Sequence, residues 1–319
     1  MKERGRGNRA WWDRRRRGAG GDSRRSRGDR ADELLLDAWK KMQQGDYVSA
    51  LEAAGEAVYL DPRRSDGYLL LGDVHLREGN LGEAREAFEG ARSKAGLSAR
   101  DGGGDEAIVE ALGGLARCDL MAGAWEQAIG SLRRVLDADA SDPLGVRQMI
   151  AEVQLLIGRP EASLEALPDR ATASADALLV GCFASLEVGR VEDAVAYAHG
   201  ALLRNPYLPA CLVGEDPPDL EIVHGTEEGS ADFAADIAAR LSPYLEQRPD
   251  RLDTFSEIAT TPTVMREVSE LVELAKSLNR EDDPEARNSL ALRIGHLRDP
   301  SRLRDVLAEV LVELEADLT

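Results

Sequence analysis

From about residue 31 the chain alternates two kinds of segment. An apolar helix-forming stretch ends at a glycine, and a second stretch in which small residues recur is closed by a polar stop. Gly45-Asp46-Tyr47 with Ala50 aligns with Gly79-Asn80-Leu81 with Ala84, a displacement of 34 residues. The same grammar returns at Gly123-Ala124-Trp125 with Ala128, Gly158-Arg159-Pro160 with Ser163, and Gly189-Arg190-Val191 with Ala194, at intervals of 44, 35 and 31. Five helix-turn-helix units follow, with no place for strands. Each glycine supplies the left-handed backbone that closes a first helix. Each small residue one turn into the second helix lets the two helices of a unit approach closely.

A period of 34 with this grammar is the mark of helical repeat arrays. The run Gly67-Tyr68-Leu69-Leu70-Leu71-Gly72 through Ala84, Phe88 and Ala91, and the series Ala50, Ala57, Pro62 before it, resemble the tetratricopeptide repeat motif. The resemblance covers about residues 31 to 213. It implies an all-α fold, a right-handed superhelix of about five helical pairs that presents surfaces to other proteins. One subgroup of that family grips an acidic C-terminal carboxylate with Lys and Asn. The matching places here carry Leu35, Trp39, Leu70, Glu110 and Gly114, none of which clamps a carboxylate, so that specialised function is not implied.

The departures from regularity have local causes. The long third interval contains Gly102-Gly103-Gly104, which cannot sustain a helix and reads as a loop. In unit four Pro168 stops the second helix early. After the last repeat, Asn205-Pro206-Tyr207 leads into the acidic stretch Glu215-Asp216-Pro217-Pro218-Asp219, which breaks the period. Helical patterning then resumes over 230–247, 251–259, 262–278, 284–297 and 300–318, with Thr261-Pro262, Asp283-Pro284 and Asp299-Pro300 as start signals. Continuous apolar stripes run through Val264, Val268, Leu271 and Val272 and through Val306, Leu307, Val310 and Leu311. The expected organisation is therefore an arm over 1–30, repeats over 31–213 and a C-terminal helical region over 214–319 that caps the open end of the array.

Composition changes this picture in one respect. The 319 residues carry 59 Asp and Glu against 40 Lys and Arg, a net charge of -19. Residues 1–30 alone hold twelve basic and four acidic residues, a net of +8, which leaves -27 on the other 289. A disordered basic arm is expected before an acidic body that repels nucleic acid and anionic membranes. Cys118, Cys182 and Cys211 form no CxxC pair, so buried thiols and a cytoplasmic setting are expected. No apolar run reaches the length of a membrane span, and no apolar stretch follows the N-terminal charges.

A search for chemistry finds no candidate. Four histidines share no ligand spacing, there is no nucleophile elbow or phosphate loop, and paired carboxylates such as Glu227-Glu228 read as solvated turns. No catalytic, cofactor or metal residue is expected, and the chain is read as not an enzyme. The patterning does support a groove, because first helices line the concave side of such a stack. The expected contacts are Asp32, Leu35, Trp39, Asp66, Asp73, Arg77, Glu110, Arg117, Gln148, Glu152, Asp176, Phe183 and Glu187, where acids outnumber bases seven to two. Such a groove suits a basic or amphipathic protein or peptide segment, unless Trp39 and Phe183 simply pack between neighbouring helices. The alternative reading places function in the arm. There Trp11 and Trp12 beside Arg14, Arg15, Arg16 and Arg17 have the chemistry to stack on RNA bases and neutralise phosphates.

Overall fold

The computed structural model describes residues 27–98, 105–142, 144–222, 227–299 and 302–317. Sixteen α-helices account for most of them, and no strand occurs among the described residues. By internal contacts the chain divides into two compact units between residues 146 and 147, inside the repeat array. The expected boundary after residue 213 therefore falls within the second unit. The basic arm lies outside the described residues up to position 26, and the first helix already begins at Arg27.

The first unit holds three helix pairs: α1 (Arg27–Gln43) with α2 (Tyr47–Leu60), α3 (Ser65–Glu78) with α4 (Leu81–Ser98), and α5 (Asp105–Met121) with α6 (Trp125–Ala138). The turn glycines behave as the sequence requires. Gly45, Gly79 and Gly123 have φ of +81°, +79° and +68°, a region that resists any side chain with a Cβ. At Gly79 the amide closes α3 by donating to Leu76 O, and Asn80 N donates to His75 O. Ala50, Ala84 and Ala128 are fully buried, so the two helices of each pair meet across a methyl group. The first pair closes on Ala31, Leu35, Ala38 and Met42 from α1 and Ala50, Ala54 and Ala57 from α2. Between the second and third pairs the ring of Phe88 (α4) lies against two backbone positions without side chains. A Cβ at Gly72 would come within 2.6 Å of it, and one at Gly114 within 2.4 Å.

The second unit begins with the two remaining repeats, α7 (Val146–Leu156) with α8 (Pro160–Ala166) and α9 (Ala175–Glu187) with α10 (Val191–Leu202). As Pro168 predicts, α8 has only seven residues. Gly158 and Gly189 again take positive φ, at +74° and +72°. The short α11 (Leu208–Leu212) follows Asn205, which is fully buried. Its side-chain amide donates to Glu228 O and Ser230 O at 2.9 and 3.0 Å, and its Oδ1 accepts from Tyr207 N. The Asn-Pro-Tyr segment thus has a structural task, to satisfy buried backbone groups where the chain leaves the repeats.

Five further helices complete the unit: α12 (Ala231–Leu245), α13 (Pro249–Thr260), α14 (Pro262–Arg280), α15 (Pro284–Leu297) and α16 (Leu303–Asp317). Their starts follow the proline signals at α14 and α15. Asp283 caps α15 by accepting from Ala286 N at 2.9 Å, whereas the Thr261 hydroxyl turns back to donate to Ile258 O. One continuous core joins repeats four and five to these helices, from Ala151, Leu178 and Phe183 through Ile237, Phe255 and Val264 to Val310. Phe255 and Ile258 of α13 and Val264 of α14 are buried in it without remaining exposure. A buried polar cluster adds a second tie. His199 Nε2 on α10 lies 2.9 Å from Glu267 Oε2 on α14, and Arg302 donates to the other oxygen of Glu267 at 3.2 Å.

No helix among the described residues is long and apolar enough to cross a membrane. No group of three His, Cys, Asp or Glu among them is placed to hold a metal ion. Cys118 and Cys182 are buried and Cys211 partly so, and burial pushes all three thiols up from their ordinary value.

Candidate partner-binding face

Counted back from each turn glycine, the first helices share a register. Thirteen residues before the turn stand Asp32, Asp66, Glu110 and Asp176 in units one, two, three and five. Six before it stand Trp39, Asp73, Arg117, Glu152 and Phe183 in units one to five. Seven residues are close to two helical turns, so both positions lie on one side of each first helix. The two units of the chain treat this side differently.

In the second unit it is already occupied. Arg240 of α12 donates to Asp176 at 3.0 Å and also to Glu152, and Gln148 donates to Asp176 as well. Burial alone would depress the Arg240 guanidinium, but Glu152, Asp176 and Asp236 outweigh it and hold its pKa above the ordinary arginine value. One turn further along α12, the Tyr244 hydroxyl donates to Glu187 at 2.8 Å and its ring centroid lies 5.6 Å from that of Phe183. Arg248 and Arg251 pair with the same Glu187. The Phe255 ring meets Phe183 from α13 at 5.9 Å. The expected contacts Gln148, Glu152, Asp176, Phe183 and Glu187 are thus brought together, but as the seat of α12 and α13 rather than as an open groove. Phe183 and Asp176, at 0% and 1% exposure, have no surface left for a ligand. Sequence periodicity missed Arg240, Tyr244, Arg248 and Arg251. Their only signal was the arginines at 240, 248 and 251, which follow an acidic array.

In the first unit the same side carries charge of mixed sign with acids in excess. Arg64, from the loop before α3, pairs with both Asp32 and Asp66, at 2.7 and 2.8 Å. Arg117 donates to Asp73 at 2.8 Å, and its guanidinium also lies over the Phe88 ring at 5.7 Å. Glu110 is half-buried. Burial, then the neighbouring carboxylates Asp73, Glu106 and Asp66, push its pKa up to about 7, with Arg117 pulling the other way. Trp39 is half-buried against the core of the first pair, and Arg77 is half-buried near the end of α3. Leu35 departs from expectation. It belongs to the core between α1 and α2, because it continues the Ala31, Ala38 and Met42 stripe rather than the Asp32 and Trp39 side. Met121, at the end of α5, is 46% exposed. Trp11, Trp12 and the arginines at 14–17 lie outside the described residues.

Comparison with known proteins bears on this architecture. A profile of the tetratricopeptide repeat family matches residues 35–99, the span of the first two helix pairs. No curated protein matches the chain. Among solved structures, the chain is similar to the MamA protein, at 20% identity over 55% of this chain and 91% of that one, with a TM-score of 0.44. It is also similar to TTC0263, a thermophilic TPR protein of Thermus thermophilus, at 19% identity over 66% and 99% of the two chains, with a TM-score of 0.38. A third is pilF of Pseudomonas aeruginosa, at 16% identity over 55% and 91%, with a TM-score of 0.31. The profile match falls on the helix pairs whose left-handed glycines and buried alanines were derived above from the sequence. The first two helix pairs are thus tetratricopeptide repeats.

Proposed function

We propose that this protein is an interaction scaffold, and that its partner surface is the inner side of the first three helix pairs. The segment received there is basic or amphipathic. The repeat architecture supports a role in protein–protein interaction in general. The finer reading rests on the recurrence of acids at Asp32, Asp66, Asp73 and Glu110 along successive first helices; burial first, and then the neighbouring carboxylates, raise the Glu110 pKa to about 7. A cation brought by a partner relieves that repulsion, so charge complementarity favours a basic segment. Partly exposed Trp39 and Met121 supply apolar contact at either end of the acidic run.

The test is affinity capture from cells that make the protein, comparing the natural chain with a variant carrying Trp39→Ala and Asp66→Asn. Partners bound through this face are expected to fall away in the variant and at raised salt, with circular dichroism unchanged. Retention of the same partners by a folded variant would place the interaction surface elsewhere.

A further inference from the structure

The chain contains an internal example of what an acidic pair on this face binds. Glu152 stands six residues before the turn glycine of unit four, and Asp176 stands thirteen before that of unit five. The guanidinium of Arg240 bridges them. The same two register positions in units two and three are Asp73 and Glu110. They lie close enough that Asp73 is the foremost neighbouring charge acting on Glu110. Asp73 accepts from Arg117, while Glu110 makes no hydrogen bond or ion pair among the described residues.

We propose that the Asp73–Glu110 pair is a guanidinium subsite, filled by an arginine on a helix of the partner protein. This rests on the reading that the inner side of the first unit is the partner surface, and it specifies the partner's chemistry. The template is α12. Its arginine is followed after four residues by Tyr244, which lies over Phe183 and Glu187. In unit three those register positions are Arg117 and Met121. A partner helix with an aromatic residue one turn beyond its arginine therefore sets a ring on the Arg117 guanidinium and covers the exposed Met121 side chain. The chain's own α12 is engaged in the second unit, so the occupant comes from another molecule.

A peptide with the sequence of residues 231–251, labelled with a fluorophore and titrated into the full chain, is a suitable probe because it carries the Arg240 and Tyr244 spacing. It is expected to bind in a salt-sensitive manner. Glu110→Gln in the protein, or Arg240→Gln in the peptide, is expected to weaken binding about tenfold, as for loss of one charge-assisted hydrogen bond. Asp137→Asn, an exposed acid on α6, is expected to leave it unchanged. Binding that is indifferent to Glu110→Gln would overturn the subsite while leaving the partner surface intact. A peptide that does not bind at all would overturn it too, with the surface itself judged separately by the Trp39 and Asp66 variant.

Discussion

Glu110→Gln is expected to make the protein more stable, and to do so only where the carboxylate is charged. Glu110 sits half-buried on α5, faced by Asp66 and Asp73 from α3 and by Glu106 and Arg117 on its own helix. On the opposite face of α5, where α4 and α6 pack, Arg85 and Ser131 hold Asp119 instead. Burial and the three acids raise the folded-state pKa from 4.5 to about 7. A folded pKa above the unfolded one means the native state binds more protons between the two values. Stability therefore falls as pH rises through that window, and the penalty is complete above about pH 7. At ~1.36 kcal/mol per pH unit the shift corresponds to about 3 kcal/mol, and partial contact with solvent reduces this to ~1–2 kcal/mol. Glutamine keeps the shape without the charge. Urea unfolding followed by circular dichroism should show the variant more stable by ~1–2 kcal/mol at pH 8 and by about a quarter of that at pH 5. An unchanged or lower midpoint at pH 8, or a gain of the same size at both pH values, would refute the electrostatic account of this face.

Three further substitutions probe the packing. Gly114→Ala forces a Cβ to within 2.4 Å of the buried Phe88 ring and should cost ~1–3 kcal/mol despite its better helix propensity. The loss should shrink in a Phe88→Leu background, measurable by thermal melting. Ala84→Leu, at a position without any exposed surface between α3 and α4, should destabilise the first unit by a similar ~1–3 kcal/mol, and an unchanged melting midpoint would count against the repeat alignment. Arg240→Ala removes the cation that faces the buried Asp176 carboxylate and leaves it neutral donors such as Gln148; it should cost ~3 kcal/mol in urea unfolding, with Asp176→Asn in the same chain restoring part of it.

The repeats were legible because each depends on contacts within about 34 residues of sequence. Glycine at 45, 79, 123, 158 and 189 and the small residues after them state the turn and the close approach directly, and all five glycines have the positive φ they imply. The short α8 and the starts of α14 and α15 were equally local, written in Pro168, Pro262 and Pro284. The inner face was legible only in phase. A side chain's placement on one side of a helix says nothing about what arrives there from elsewhere in the chain. Arg240 reaches Asp176 across 64 residues of sequence and Glu152 across 88. Leu35 shows the second limit. It is spaced three from Asp32 and four from Trp39, yet also four from Ala31 and three from Ala38, so periodicity fits both sides of α1. Burial assigns it to the core.

Phe88, from the interior, bears on the evolution of the proposed partner face. Its ring is held between the backbones of α3 and α5 at Gly72 and Gly114. Asp73 is the next residue after one of these glycines, and Glu110 lies one helical turn before the other. The thickness of one aromatic ring thus acts as a gauge block for the gap between the helices that carry the two carboxylates. A smaller side chain at position 88 lets the two first helices settle together and narrows that gap, so the proposed subsite is open to retuning by selection acting on a residue in the interior.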